Sequence, residues 1–120
     1  MITQLNFVSI PVTDQQRALD FYTKRLGFTV FTDQPFGEGI RWIELKVARS
    51  DVKVVLFTPD EHKHLIGTKL NISFKCNDVE KTVAELRERG VEFEGVPQKF
   101  HWGWHAMFKD PDGNTFSLSD

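Results

Sequence analysis

The sequence has one cysteine, Cys76, in 120 residues. An internal disulfide is therefore excluded, and the usage fits a reducing compartment. The N-terminus, Met-Ile-Thr-Gln-Leu-Asn, lacks a basic segment followed by an apolar run. No signal peptide is expected, and a cytoplasmic location is. No stretch approaches the roughly 18 uncharged apolar residues of a membrane-spanning helix. Charge of one sign is also missing: 15 basic residues stand against 17 acidic ones, for a net charge of −2. That balance argues against a nucleic-acid or membrane-surface partner. The glycines form no phosphate-binding pattern after a strand. Aromatics, by contrast, are plentiful. Eleven Phe, three Trp and one Tyr make 12% of the chain, more than a small core needs, which leaves rings free to line a cavity.

The length is that of one domain, and it contains a repeat. Phe7-Val-Ser-Ile-Pro-Val-Thr-Asp14 alternates and ends in a helix-start signal, and Asn71-Ile-Ser-Phe-Lys-Cys-Asn-Asp78 reads the same way. The matching places Ser9 on Ser73, Asp14 on Asp78 and Arg25 on Arg89. Thr13-x-x-Gln16 and Asn77-x-x-Glu80 read as capping boxes. The first helix directs Ala18, Leu19, Tyr22 and Leu26 to the core, the second Val79, Val83 and Leu86. Gly27 and Gly90 suit the left-handed position that ends a helix. Strand-like runs follow at residues 28–32, 40–47 and 52–58 in the first copy, and at 91–94, 102–109 and 115–119 in the second. Asp110-Pro-Asp-Gly-Asn114 is a strong turn signal between the last two. The expected architecture is α+β: two tandem βαβββ modules, residues 1–58 and 70–120, joined by a linker at 59–69. Their sheets are expected to form a curved, cup-shaped mixed sheet with the helices outside.

Ile10-Pro-Val-Thr-Asp14, Ala18-Leu-Asp-Phe-Tyr22 and Leu26-Gly-Phe28, with the closing Phe108-Lys-Asp-Pro-Asp-Gly-Asn114, resemble the glyoxalase/bleomycin-resistance (vicinal-oxygen-chelate) superfamily over essentially the whole chain. The resemblance implies the fold and a homodimer. It does not fix an activity, because that superfamily hosts isomerases, dioxygenases, thiol transferases and drug-sequestering proteins. Its metal-dependent members hold a divalent ion with four His, Gln or Glu ligands. The corresponding positions here are Phe7, Val55, Asn71 and Ser117. Phe and Val cannot ligate, and Asn and Ser are weak neutral ligands, so no family-type metal and no other cofactor are expected.

Strand alternation assigns the rest. An apolar set including Val8, Ile10, Ile43, Leu45, Val54, Leu56, Ile72, Phe74, Cys76, Ala106, Phe108, Phe116 and Leu118 is expected to face the helices. Phe7, Ser9, Trp42, Glu44, Lys53, Val55, Phe57, Asn71, Ser73, His105, Met107 and Ser117 are expected on the opposite faces. Aromatics mixed with a few polar groups suit a small-molecule pocket, and a face packed on a partner subunit looks similar. Glu44, beside Trp42, reads as a candidate acid or base with a raised pKa, or as a solvated charge or partner of Lys53. His105 reads as a proton carrier, a fixed hydrogen-bonder or a partly exposed strand residue. Phe100-His-Trp-Gly-Trp-His105 suggests a loop or bulge where Trp102 and Trp104 stack on a planar ligand, or else edge packing or a dimer contact. Phe36-Gly-Glu-Gly39 suggests an aromatic-tipped lid.

Two apparent metal motifs are discounted. His101 and His105 would lie about 13 Å apart on a strand, and His62-Lys-His64 has no clustered ligand nearby. Three functions remain. The first is a metal-free binder of a small, planar organic ligand, the second a glyoxalase-like lyase or isomerase using Glu44 and His105, and the third a ligand-free structural or regulatory dimer.

Overall fold

A computed structural model describes all 120 residues. The chain divides into two compact units, residues 1–64 and 65–120. No helix is long and apolar enough to cross a membrane.

The first unit runs β1 (Phe7–Ile10), α1 (Gln15–Asp20, continued by a π-helical turn over Phe21–Arg25), β2 (Thr29–Pro35), β3 (Arg41–Lys46) and β4 (Lys53–Leu56). Its sheet has the order β1-β4-β3-β2, with β1 parallel to β4 and the other pairs antiparallel. A 3-10 helix, Asp60–Leu65, lies in the stretch expected as linker. The second unit runs β5 (Lys69–Lys75), α2 (Val79–Glu88), β6 (Glu92–Phe93), β7 (Gln98–Phe100), β8 (Gly103–Lys109) and β9 (Thr115–Ser119). Its sheet has the order β5-β9-β8-β6, and β7 also pairs with β8. Two βαβββ modules, each with its own mixed sheet, are thus the architecture that the repeat predicts.

Strand β7 is absent from the sequence reading. It and β6 form one broken edge strand against β8, and residues between them include Gly95 and Pro97. Proline cannot donate to a ladder, so such a break is tolerated only at an edge. The Arg87 guanidinium donates to the Gly95 carbonyl across the gap.

Both helices begin one residue later than the capping-box reading. The carboxylates of Asp14 and Asp78, not Thr13 and Asn77, accept from the backbone N–H of Arg17 and Lys81. Thr13 Oγ1 instead accepts from the Arg17 guanidinium, and Gln16 Oε1 accepts from Arg41. Either side chain of a Thr-Asp or Asn-Asp pair can cap, and here the charged one does so against the positive end of the helix. Each helix stops at a glycine of positive φ, 81° at Gly27 and 87° at Gly90, the conformation that only glycine adopts without steric cost.

The apolar alternation builds the core of each unit. Ile10, Ile43, Leu45, Val54 and Leu56 are buried with Ala18, Phe21 and Tyr22, while Leu19 and Leu26 stay half-buried. In the second unit Ala106, Phe108, Phe116 and Leu118 are buried with Val79, Val83 and Leu86. Phe116 makes ring contacts with Phe74 and Phe108. Full burial of a side chain of this size contributes about 2–3 kcal/mol.

The Asp110–Asn114 turn is held by its own side chains. Asp110 Oδ1 accepts from the backbone N–H of Asp112 and Asn114, and Oδ2 accepts from Asn114 Nδ2 at 2.8 Å. Asn114, fully buried, also accepts from the Gly67 N–H through Oδ1 at 2.8 Å. Asn114→Ala removes the side-chain bonds to the Gly67 N–H and the Asp110 carboxylate from a buried site, so it should lower unfolding free energy by about 2–3 kcal/mol, read from urea midpoints.

Asp120 ties β8 to the start of α2. Its carboxylate accepts from the N–H of Trp104 at 2.9 Å and of Val79 at 3.2 Å. These bonds to the charged form hold its pKa below the ordinary carboxylate value. A depressed folded pKa gives stability that is complete above the unfolded value and lost as pH falls through the folded one. The stability gap between wild type and Asp120→Asn should therefore be largest at neutral pH and shrink as pH falls through and below the ordinary carboxylate range. Denaturant titrations across that window measure it.

Candidate functional site

Strand register fixes which side chains share a face of the first sheet, because directly paired residues point the same way. Ser9, Val55, Glu44 and Thr32 form one row across β1, β4, β3 and β2. Two residues away on one side the face carries Phe7 and Lys53, and on the other Trp42 and Gln34. This is the face opposite the buried Ile43, Leu45, Val54 and Leu56, as alternation predicts.

Its aromatic side chains meet. Trp42 lies 5.6 Å from Phe7, 5.4 Å from Phe36 and 5.5 Å from Phe57, centroid to centroid. Phe36 and Phe57 are perpendicular at 5.4 Å. These are the edge and tilted arrangements that ring quadrupoles favour. Phe7, Trp42 and Phe57 are half-buried and Phe36 is 53% exposed, so the cluster presents apolar surface. Phe36 does not tip a free lid. It follows β2, its N–H donates to the Ile40 carbonyl, and its ring is docked on Trp42 and Phe57.

Val55 departs from its expected role. It lies on this face but has 0% exposure. Phe7 on β1 and Trp42 on β3 meet across β4, the strand between them, so Val55 supports their rings from below and does not line an open surface.

Glu44 Oε2 accepts from the Trp42 indole N–H at 2.9 Å. The anticipated pairing with Lys53 is not made. The Lys53 ammonium instead lies over the Phe31 ring, 4.5 Å from its centroid. Phe31 is the extra residue of a bulge in β2, between Val30 and Thr32.

The sequence reading misses two groups that position the rings. Gln15, in the first turn of α1, donates through Nε2 to the carbonyls of Arg41 and Leu56 and accepts from the Arg41 N–H. Arg41 and Leu56 immediately precede Trp42 and Phe57, so one amide pins the backbone under both rings. Arg41 in turn makes a two-point pair with Asp33, which lowers the Asp33 pKa through hydrogen bonding and charge. Nothing local in the sequence marks Gln15, because its partners are 26 and 41 residues away.

On the second sheet, Ser73, Ser117 and Met107 form one row, and Lys75, Ser119, His105 and Gln98 the next. Asn71 shares this face by alternation. The expected polar set is therefore together. His105 sits edge-on to Phe100 and Trp102, at 6.2 and 6.0 Å, and those two rings stack in parallel at 5.3 Å. The Phe100–His105 run is a loop over only two residues. It is a hairpin in which Phe100 pairs with Gly103 and only His101 and Trp102 turn. As a result Trp104 lies within β8 on the same side as the buried Ala106 and Phe108, facing away from His105 and Met107. It does not join the candidate ligand residues.

Comparison with known proteins settles the family. The model of the glyoxalase/bleomycin resistance protein/dioxygenase superfamily matches residues 4–118. The chain belongs to this superfamily. It is 35% identical to the protein YetH of Bacillus subtilis (strain 168), over the full length of both. Among solved structures it is similar to TnmS3, an antibiotic-binding protein from Streptomyces sp. CB03234, with 36% identity, a TM-score of 0.87, and coverage of 98% of this chain and 95% of that one. A glyoxalase/bleomycin resistance protein from the same organism matches with 35% identity, a TM-score of 0.79, and coverage of 98% and 100%.

The positions to which the family resemblance assigns a divalent ion do not fit one. Phe7 and Val55 carry no donor atom, and their side chains are engaged in packing. Asn71 and Ser117 offer only neutral oxygens, poor ligands for a transition ion.

Val55→Ala should open a cavity beneath the Phe7–Trp42 pair and lower stability by about 2 kcal/mol. Denaturant midpoints measure the loss, and a red shift of tryptophan emission should accompany it as water reaches the indole.

Proposed function

We propose that this chain binds a small, planar organic molecule on the ring-lined face of its first sheet, without a divalent metal, and holds it chemically unchanged. The observation that carries the reading is the half-exposed cluster of Phe7, Phe36, Trp42 and Phe57, backed by the rigid Gln15 clamp. A flat aromatic ligand can extend such a cluster by stacking, and burial of its apolar area supplies the affinity. Glu44 and Ser9 give the same face a few polar groups to orient a ligand, the usual composition of a small-molecule site. Similarity to an antibiotic-binding protein over nearly the whole chain supports an antibiotic-like ligand. Binding to nucleic acid or membrane is not part of this reading. A homodimeric, cytoplasmic protein is.

Tryptophan-quenching titrations of the metal-stripped protein against a panel of planar aromatic antibiotics test it. At least one compound should bind with a Kd at or below about micromolar, and Trp42→Ala should weaken it at least about tenfold. Glu44→Gln should leave the compound bound and recoverable intact by mass spectrometry. The acid–base alternative, with Glu44 and His105 as proton carriers, expects the wild type to convert the compound and Glu44→Gln to stop the conversion. Absence of binding across the panel, or binding that returns only with added divalent ion, would sink the proposal.

A further inference from the structure

The ring-lined face has a second end, and its chemistry differs. Lys46 and Lys53 project from this same face, paired in register with Thr29 and Phe7. They lie at the opposite end of β3 and β4 from Trp42 and Phe57. With Arg49 and Ser50 from the β3–β4 turn and Phe31 from the β2 bulge, they line a groove of about 350 Å³.

Three cations converge on this groove, and only one carboxylate, Asp51, lines it. Lys46 and Arg49 form no ion pair. Lys53 makes only its contact with the Phe31 ring, an interaction that holds the ammonium in place without neutralising it. The turn that supplies Arg49 is strained as well. Ala48, which lines the groove, has φ 42°, the only non-glycine residue of the chain in the left-handed region. Strain of this kind persists where surrounding structure enforces it, and it collects at binding sites. Elsewhere the charged side chains of the sheet find partners, as Arg41 does in Asp33. Uncompensated positive charge in a concave site attracts an anion.

We infer that this groove is an acid-recognition subsite, and that the ligand of the ring-lined face is an aromatic molecule bearing an anionic arm, a carboxylate or a phosphate. The inference rests on the aromatic-face reading above and adds the ligand's polarity to it. Four residues of strand separate Trp42 from Lys46, about 13 Å. A ring system stacked on Trp42 and Phe57 therefore reaches the lysines through a short chain that runs along β3 past Glu44, beside the Phe7–Trp42 pair. Arg49 can grip an oxyanion with two parallel hydrogen bonds, and the lysines add point charges.

A matched pair of probes tests this, 1-pyrenebutanoic acid and 1-pyrenebutanol, which share the ring and the chain and differ in charge. Energy transfer from tryptophan to pyrene reports binding of both. The acid should bind on the order of tenfold more tightly than the alcohol, as one or two charge-assisted hydrogen bonds provide. The preference should collapse towards unity in Lys46→Gln/Lys53→Gln and shrink as salt is raised. Equal binding of the two probes, or a preference that survives the double substitution, overturns acid recognition and leaves the aromatic reading standing. Failure of both probes to bind overturns the aromatic reading itself.

Discussion

Strand β4 is hydrogen-bonded on both sides, parallel to β1 and antiparallel to β3, and its register governs everything proposed for the first unit. Side chains alternate with a period of two, so a slip of one residue would turn Val54 and Leu56 outward and bring Lys53 into the core. Both neighbours oppose that slip, because their buried residues, Ile10 on one side and Ile43 and Leu45 on the other, must face α1 at the same time. The row Ser9–Val55–Glu44 and the rings around it are thus consequences of how the core packs. The apolar side of the sheet fixes the geometry of the ring-lined side.

The same logic explains what the sequence makes legible. Alternating runs, helix periodicity and the glycines at 27 and 90 are local signals, and they give both modules, both helices and the face that each strand residue occupies. Alternation alone puts Phe7, Trp42 and Phe57 on one face, and strand register brings their rings together. Failures occur where a residue's fate depends on something distant or on a single-residue offset. Trp104 looks like the twin of Trp102, but the hairpin turn takes only two residues, and the strand then resumes with Trp104 on the inner side. Val55 is assigned the correct face, and its burial comes from rings on two other strands that meet above it. Gln15 carries no local mark at all, since its importance lies in partners on β3 and at the end of β4.

The duplication sharpens the question of metal chemistry. Phe7 and Asn71 occupy equivalent places in the two copies, and neither is a strong ligand. They differ in their surroundings. In the first module the position has become part of a ring cluster, with Phe7 packed on Trp42. In the second it belongs to a polar, exposed row with Ser73. The two faces therefore differ in character, one ring-lined and the other polar. A fold built from two similar modules has room for two dissimilar surfaces.

Trp42 links these threads. Its indole ring is the hub of the cluster, touching Phe7, Phe36 and Phe57, while its N–H donates to Glu44. One side chain thus presents the apolar platform and orients the carboxylate beside it. That coupling constrains the chemistry open to Glu44. A carboxylate already accepting from an indole keeps its second oxygen for a ligand, and it is aimed by the ring on which the ligand would stack. A ligand that displaced the ring would also release the carboxylate, so apolar and polar recognition on this face are not separable. Lys46 and Lys53 lie outside the coupled unit, two residues further along their strands. On the proposed reading, charge recognition would therefore vary independently of the aromatic platform while the core stays intact.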